Sequence, residues 1–220
     1  MIKLVIFDLD GTLLNTLDDL ACSANAALST CGFPPRSRQE VQRFVGNGVA
    51  KLLERALPSG TQTPENLTRL KQAFFDYYDA HLWTHTTPYP GIENLLTGLA
   101  ARKILLAVAS NKYQSATERL VRHFFPQLPF VAVSGQRENV PTKPNPQIVA
   151  DILQTACVLP SETLYVGDSG VDMQTAQNAG VQACGVAWGF RPREELAAFA
   201  PCLLADTPKD LSDFLELNIF

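Results

Sequence analysis

The fold is decided by the stretch Val5-Ile6-Phe7-Asp8-Leu9-Asp10-Gly11-Thr12, near the start of the chain. Leu4 to Phe7 is a short apolar run with β-branched and aromatic members, which is typical of a strand buried on both faces. Asp8 and Asp10 follow directly, and buried carboxylates are costly unless they are paired or bound to a metal. Gly11 permits a tight turn, and Thr12 adds a hydroxyl. The same residues also fit a solvated Asp/Gly turn, so other parts of the chain must decide.

Composition places the chain among ordinary globular proteins. Its 220 residues are 46% hydrophobic and 18% charged, and the formal net charge is −4. This charge, without any basic cluster, argues against a nucleic-acid partner. The run from Ile104 to Ala109 is far too short to span a bilayer, so no membrane partner is expected. The five cysteines form no C-x-x-C pair, which predicts reduced thiols, no zinc site and a cytoplasmic location.

Residues 15–88 have the apolar spacing of helices and no convincing strand. The spacing predicts four helices, from Thr16 to the break at 31–35, over Arg38–Phe44, from Val49 to the break at 58–60, and from Pro64 onward. Val45-Gly46-Asn47-Gly48 is a clear break between two of them. The aromatic residues Phe74, Tyr77 and Tyr78 are interpreted as core packing. We therefore expect a small helical domain inserted directly behind the first strand.

From residue 89 onward, apolar runs alternate with helical patterns. Strands are predicted at Ile104–Ala109, Phe130–Val133, Thr163–Val166, Val181–Val186 and Cys202–Leu204. Helices are predicted at Gln114–His123, Pro146–Thr155, Val171–Ala179, Arg193–Phe199 and Lys209–Leu217. This alternation predicts an α/β fold with a doubly wound parallel sheet, a Rossmann-like core formed by residues 1–14 and 89–220.

Other strand ends carry polar residues of the same kind. Ser110-Asn111 follows one strand and is suited both to binding an anion and to capping a helix. Asp168 follows another, with Asp172 one helical turn later. Lys143 stands between prolines, which suit a lysine held in one place, although a single lysine is usually a solvated surface charge. Together, these residues with Asp8 and Asp10 form a set suited to Mg²⁺ and phosphate.

The ordered set resembles the motifs of the haloacid dehalogenase-like hydrolases. Asp8-Leu-Asp-Gly-Thr12 is similar to the first motif, Ser110-Asn111 to the second, Lys143 to the third and Gly167-Asp-Ser-Gly-Val-Asp172 to the fourth. The resemblance covers nearly the whole chain, and residues 15–88 resemble the helical cap domain of one subgroup. The short cap motifs and Pro88-Tyr-Pro-Gly91 are similar to those of phosphoglycolate phosphatases. Asn15 departs from the Asp of many relatives, and we expect little effect on the chemistry.

This resemblance implies a Mg²⁺-dependent phosphatase that forms a phosphoaspartate on Asp8. Asp10 would protonate the leaving group and then activate water, and its backbone carbonyl would bind the metal. A dehalogenase would need neither Asp10 nor magnesium, so Asp10 favours a phosphatase. Asp168 would be a further metal ligand, and Asp172 would hold a metal-bound water. The phosphoryl oxygens would be met by Lys143, Ser110, Thr12 and the amides around Leu9 and Asn111.

Three other classes of protein share part of this pattern. A receiver domain of a signalling system also holds an aspartyl phosphate, but it is shorter and lacks both the helical insertion and an acid two residues after its nucleophile. A dinucleotide-binding enzyme would need G-x-G-x-x-G after its first strand, whereas Gly46-Asn-Gly48 lies among helices. A relative kept as a non-catalytic regulatory module is disfavoured by the complete acidic set.

The substrate is expected to be a small phosphorylated metabolite, processed by a monomer or homodimer. Phosphoglycolate is one candidate, and a sugar phosphate, a nucleotide or pyrophosphate are the alternatives. The break at Val45–Gly48 is expected to contact the organic part of the substrate, with Asn47 and the flanking cations Arg43 and Lys51 as binding groups. Equally, the two glycines could merely join two helices, with both cations solvated.

Overall fold

The computed structural model describes residues 1–218, which are built around a six-stranded parallel sheet. The strands of the chain are β1 Leu4–Phe7, β2 Leu14–Asn15, β3 Thr87–Pro88, β4 Leu105–Tyr113, β5 Phe130–Gln136, β6 Thr163–Gly167, β7 Gln182–Val186 and β8 Leu203–Ala205. Their order across the main sheet is β5-β4-β1-β6-β7-β8, and each neighbouring pair is parallel. The predicted α/β fold with a doubly wound parallel sheet is confirmed. β2 and β3 form a separate antiparallel ribbon.

The helices of the described chain fall into two groups. The first group, between β2 and β3, is α1 Leu17–Thr30, α2 Arg38–Phe44, α3 Gly48–Ala56 and α4 Pro64–Tyr78. The second group is α5 Ile92–Ala101, α6 Gln114–Phe124, α7 Gln147–Ala156, α8 Gly170–Ala179, α9 Arg193–Ala197 and α10 Pro208–Asn218, with a short 3₁₀ turn at Pro160–Glu162. The first group, which we call the helical insertion, is the all-helical segment that the sequence predicts.

β1 is the central strand because its side chains are apolar on both faces. Leu4 and Ile6 pack into the core on one face of the sheet, and Val5 and Phe7 pack into the core on the other. β1 pairs with β4 on one side and with β6 on the other. The strand order changes direction at this point, so a crevice forms outside the carboxyl end of β1, where open α/β sheets bind ligands.

The helical insertion begins and ends beside this edge. Its helices have local start signals: Ser37 and Glu40 form a capping box at α2, and the Thr63 hydroxyl accepts from the Asn66 amide at the start of α4. The buried Asp19 carboxylate of α1 accepts hydrogen bonds from the backbone amides of His85 and Thr86. These bonds connect the segment that leaves the sheet to the segment that returns to it.

Three local features differ from the sequence interpretation. Helix α5 was not predicted, although Ile92, Leu95, Leu96 and Leu99 have helical spacing and are buried. β4 continues to Tyr113, past the predicted end at Ala109, with irregular pairing to β5 over this extension. The residues of β4 after Ala109 are polar, so the sequence pattern does not predict that the strand continues over them. The β2–β3 ribbon has only two residues in each strand, too few to show a period in the sequence.

The sequence also predicts the absence of a membrane span and the presence of reduced cysteines. Among the described residues, no helix combines the length and the apolar character needed to cross a membrane. All five cysteines are free, and Cys184 is the buried one.

Candidate active site

Asp8 extends directly from β1 into the crevice. Its backbone amide donates to the Val166 carbonyl of β6 at 2.9 Å, which fixes the residue beside that strand. Only 9% of Asp8 is exposed. Burial raises the pKa of Asp8 from 3.8 to about 7, with Asp172 and Asp10 adding to the rise and Lys143 opposing it. A carboxylate in this position is poorly solvated, which keeps it reactive toward an electrophile once a cation holds it ionised.

Lys143 is the cation that faces Asp8. Its ammonium lies 3.0 Å from Asp8 Oδ1 and 2.7 Å from Asp172 Oδ1, and it also donates to the Ala109 carbonyl and the Tyr165 hydroxyl. The side chain is 1% exposed. Although burial alone lowers its pKa, Asp172 and Asp8 raise the pKa of Lys143 well above its usual value. The lysine is therefore a fixed positive charge inside the site.

Asn111 holds the backbone of Lys143 in place. Its Oδ1 accepts from the Lys143 amide at 2.9 Å, and its Nδ2 donates to the Lys143 carbonyl at 3.2 Å. The same Nδ2 donates to the Gly46 carbonyl of the helical insertion at 2.9 Å. Asn111 is thus a structural link between the loop that carries Lys143, the tip of β4 and the insertion.

Asp168 and Asp172 complete a cluster of buried carboxylates. One carboxylate oxygen from each of Asp8, Asp168 and Asp172 lies within 4.8 Å of the others. Burial, with Asp172 and Asp8, raises the pKa of Asp168 well above its usual value. Among the described residues, Lys143 is the cation that forms ion pairs with this cluster. Three oxygen donors with one opposing charge fit a hard divalent cation such as Mg²⁺.

The loops around Asp168 are shaped to hold its carboxylate. The Phe190 amide donates to Asp168 Oδ2 at 2.6 Å, and the Thr12 hydroxyl donates to Oδ1 at 3.3 Å. A Cβ at Gly11, where φ is +85°, would lie 2.4 Å from Asp168 Oδ2, and one at Gly189 would lie 2.2 Å from Asp168 Cβ. Both glycines are required because any larger residue would displace the carboxylate.

Asp10 faces a different group of residues. Its side chain accepts from the Thr16 hydroxyl at 2.7 Å and lies 3.1 Å from the ammonium of Lys112. Asp10 is not part of the cluster formed by Asp8, Asp168 and Asp172. Lys112 was not identified from the sequence, although it directly follows Ser110-Asn111. Burial lowers the pKa of Lys112, but Asp10 more than offsets this and the pKa is raised.

A cavity of about 50 Å³ lies between the sheet edge and the helical insertion. Its sheet side is lined by Asp8, Asp10, Ser110, Asn111, Lys112, Tyr113, Asp168, Ser169, Phe190 and Arg191. Its insertion side is lined by Leu20, Val45, Gly46, Gly48, Val49, Leu52, Phe74 and Tyr78. Phe74 and Tyr78 therefore pack in the core and also line the cavity, which the core interpretation of the aromatic residues did not include.

Leu9, Arg43 and Asn47 were also proposed from the sequence, and they do not line this cavity. The Leu9 amide donates to Asp8 Oδ1 at 2.7 Å. Arg43 is exposed, and the Asn47 side chain accepts from Arg55 at 2.9 Å. Neither Arg43 nor Asn47 is among the residues that line the cavity. Instead Gly48 approaches the core so closely that a Cβ there would lie 3.2 Å from the Asn111 carbonyl.

Arg191 joins the core to the insertion at the mouth of the cavity. Its guanidinium donates to the carbonyls of Gln42 at 2.7 Å, Val45 at 2.5 Å and Arg43 at 3.2 Å. In return, the Gln42 side chain donates to the Phe190 carbonyl at 2.9 Å. The loop that donates to Asp168 through Phe190 therefore also binds the insertion.

The chain matches known proteins over most of its length. Residues 5–186 match the family model described as haloacid dehalogenase-like hydrolase. A phosphoglycolate phosphatase of Vibrio parahaemolyticus is 33% identical, with 98% of this chain and 96% of that protein covered. One from Pseudomonas putida is 34% identical, with 93% and 76% covered. The crystal structure of a predicted phosphoglycolate phosphatase from Haemophilus somnus superposes with a TM-score of 0.90 at 30% identity, covering 99% and 98%.

The family match makes the chain a hydrolase, and its cluster of three buried carboxylates lies where β1 and β6 end. The chain belongs to the haloacid dehalogenase-like hydrolase family. Its relatives in Vibrio parahaemolyticus and Pseudomonas putida are phosphoglycolate phosphatases.

Proposed function

We propose that the enzyme hydrolyses phosphoglycolate to glycolate and phosphate with the help of Mg²⁺. It is a phosphoric monoester hydrolase that acts on a small phosphorylated metabolite. The choice of phosphoglycolate rests on the names of its relatives and on one structural observation, the size of the cavity. A volume of about 50 Å³ corresponds to roughly four water-sized positions. This small space favours a substrate with a leaving group of a few atoms.

Asp8 is the nucleophile and Asp10 the acid–base in this proposal. A carboxylate oxygen of Asp8 attacks phosphorus, and the bond between phosphorus and the glycolate oxygen breaks. Asp10 donates its proton to that oxygen. A water then attacks the phosphoaspartate at phosphorus, Asp10 takes a proton from this water, and the Asp8 carboxylate leaves. The side chain of Asp10 has access to this role because it lines the same cavity as Asp8.

The metal would be held by Asp8, Asp168, Asp172 and the backbone carbonyl of Asp10. When bound, Mg²⁺ neutralises charge on the phosphoryl oxygens and so allows an anionic nucleophile to approach. Lys143 holds the Asp8 carboxylate in position from 3.0 Å. The Ser110 hydroxyl and the Asn111 amide, at the cavity wall, are the proposed donors to the phosphoryl oxygens, whereas the Leu9 amide is bonded to Asp8 Oδ1 in this structure.

The helical insertion serves as a cap domain in this proposal, with residues 15–88 as the cap and residues 1–14 and 89–220 as the core. The hydrogen bonds of Arg191 and Asn111 to the insertion hold it over the cavity. A closed cap excludes bulk water and limits the size of the leaving group.

A panel of phosphate esters tests the proposal on the purified protein with Mg²⁺. The panel contains 2-phosphoglycolate, a hexose phosphate, a nucleoside monophosphate and pyrophosphate. The largest kcat/KM is expected for 2-phosphoglycolate. A larger value for any other member would reassign the substrate, and an absence of turnover for all members would support a non-catalytic role.

A further inference from the structure

The hydroxyl of Tyr78 lies inside the protein with no partner at full hydrogen-bond geometry among the described residues, although the Lys112 ammonium is near enough to oppose the rise that burial causes in its pKa. Tyr78 is 0% exposed, and its hydroxyl is the buried side-chain polar atom without a partner among the described residues. A buried hydroxyl of this kind costs about 1–3 kcal/mol, and such groups in native proteins mark strain or a binding role. Tyr78 lines the cavity. The missing partner is therefore expected to be a group of the substrate.

Lys112 is the charged neighbour of this hydroxyl. Its ammonium lies 4.9 Å from the centroid of the Tyr78 ring, and its side chain is 3% exposed. Its ion pair is with Asp10. An ammonium has three donors, so donors remain for an anionic group that enters the cavity. The other residues on the insertion side, among them Leu20, Leu52 and Phe74, are apolar and offer nothing to a second polar group.

From this arrangement we infer that Tyr78 and Lys112 form the subsite for a carboxylate on the leaving group of the substrate. The inference rests on the proposed phosphatase function and deepens it. A hydroxyl donor beside an ammonium binds a carboxylate with two hydrogen bonds, one of them charge-assisted. An uncharged alkyl group would leave both donors unpaired, which is costly in a buried site.

The short distance between Lys112 and Asp10 restricts the class of substrate further. Asp10 is the group that protonates the leaving oxygen, and Lys112 lies only 3.1 Å from it. A group that Lys112 binds must therefore lie close to the leaving oxygen. The carboxylate of a 2-hydroxy acid is attached to the carbon that carries that oxygen. The subsite selects phosphate esters of 2-hydroxy acids over esters whose carboxylate is more distant.

The variant Tyr78→Phe tests this inference, because it removes the hydroxyl and keeps the ring that stacks near Phe74. The measured quantity is the ratio of kcat/KM for 2-phosphoglycolate to kcat/KM for ethyl phosphate, which lacks the carboxylate. Tyr78→Phe is expected to lower this ratio tenfold or more. Tyr77→Phe is the matched control, since Tyr77 lies outside the cavity lining and stacks on His81, and it is expected to keep the ratio of the wild type.

Stability measurements separate recognition from a folding defect. Because Tyr78→Phe removes an unpartnered buried hydroxyl, the Tm of the ligand-free variant is expected to equal or exceed that of the wild type. A ratio that stays constant in a folded Tyr78→Phe protein overturns the inference, and so does a wild-type ratio near one. Loss of fold in the variant would also contradict it, because the hydroxyl would then have a structural role.

A binding experiment distinguishes failure of the inference from failure of the proposed function. In an Asp8→Asn background without turnover, calorimetry compares 2-phosphoglycolate with ethyl phosphate in the presence of Mg²⁺. Adding Tyr78→Phe is expected to reduce the preference for 2-phosphoglycolate by tenfold or more. If the wild type hydrolyses neither ester but this preference is present and sensitive to Tyr78, the catalytic proposal fails and the carboxylate subsite stands. An insensitive preference removes the subsite.

Discussion

The ammonium of Lys143 lies 3.0 Å from the carboxylate of Asp8, and both groups are buried. Lys143 is the cation that pairs with the buried carboxylates of the site. Lys143 also contacts Asp172, while Asn111 holds its backbone from both sides. The lysine therefore has a double role, since it stabilises the folded protein by opposing the buried carboxylates and also positions the Asp8 oxygen.

The first prediction concerns this double role. Lys143→Met should lower the free energy of unfolding by about 3–5 kcal/mol in a chelating buffer, because buried carboxylates lose their opposing charge. Urea unfolding at pH 7.5 measures the effect. Mg²⁺ should recover part of the loss, since it binds the same carboxylates. Lys209→Met is the control, because Lys209 pairs with Asp213 at the surface, and it should change stability little. Equal effects of the two substitutions would contradict the role of Lys143.

A second prediction separates Asp10 from Asp8. Asp10→Asn should slow the hydrolysis of an alkyl phosphate more than that of an aryl phosphate, because a good leaving group needs no proton from Asp10. The second step should also slow in both cases, so phosphoenzyme should accumulate with the aryl substrate. Steady-state rates and a rapid-quench burst measure these effects. Equal losses for the two substrates, without a burst, would remove the acid role from Asp10.

The pKa of Asp8 gives a third prediction, on stability against pH. Because burial raises this pKa from 3.8 to about 7, the carboxyl favours the folded state below pH 3.8 and loses that contribution as the pH rises to 7. Asp8→Asn removes this titration. In a chelating buffer, the variant should therefore gain stability relative to the wild type between pH 4 and pH 8. The gain is up to about 4 kcal/mol, at about 1.4 kcal/mol per pKa unit.

Chemical unfolding at several pH values measures this difference between the two proteins. Asp168 titrates in both proteins, but Asp8 adds to its raised pKa. Asp8→Asn therefore also lowers the pKa of Asp168, which adds to the difference in the same direction. A difference that stays constant from pH 4 to pH 8 would contradict the raised pKa of Asp8.

The core of the fold follows from patterns that are visible in the sequence. The apolar run of β1 is continuous because both faces are covered, and the carboxylates after β1 and β6 mark one edge of the sheet. Helix α5 could be predicted from the sequence, because its apolar residues have clear helical spacing. By contrast, the extension of β4 over Ser110, Asn111 and Lys112 could not be predicted, because the sheet pairing there overrides the polar character of these residues.

The sequence pattern does not distinguish the residues that we propose to set specificity, for a physical reason. Arg43 and Asn47 were predicted to bind substrate because they are polar and lie near the two glycines. In the structure, Asn47 accepts a hydrogen bond from Arg55, and it is Gly48 that approaches the core. Tyr78 belongs to an aromatic series whose pattern is that of core packing. Only the three-dimensional structure shows that its hydroxyl is unpartnered and that it lies beside the Lys112 ammonium, because these residues are far apart in the sequence.

The central claim is that Asp8 becomes phosphorylated during turnover. The most direct measurement uses the Asp10→Asn protein, in which the intermediate should accumulate, mixed with an aryl phosphate and Mg²⁺ and then treated with borohydride. This reagent reduces an aspartyl phosphate to homoserine, and peptide mass spectrometry locates the change. We predict homoserine at position 8, dependent on both substrate and metal. Homoserine at another position, or unmodified Asp8 under conditions that show a burst, would contradict the mechanism.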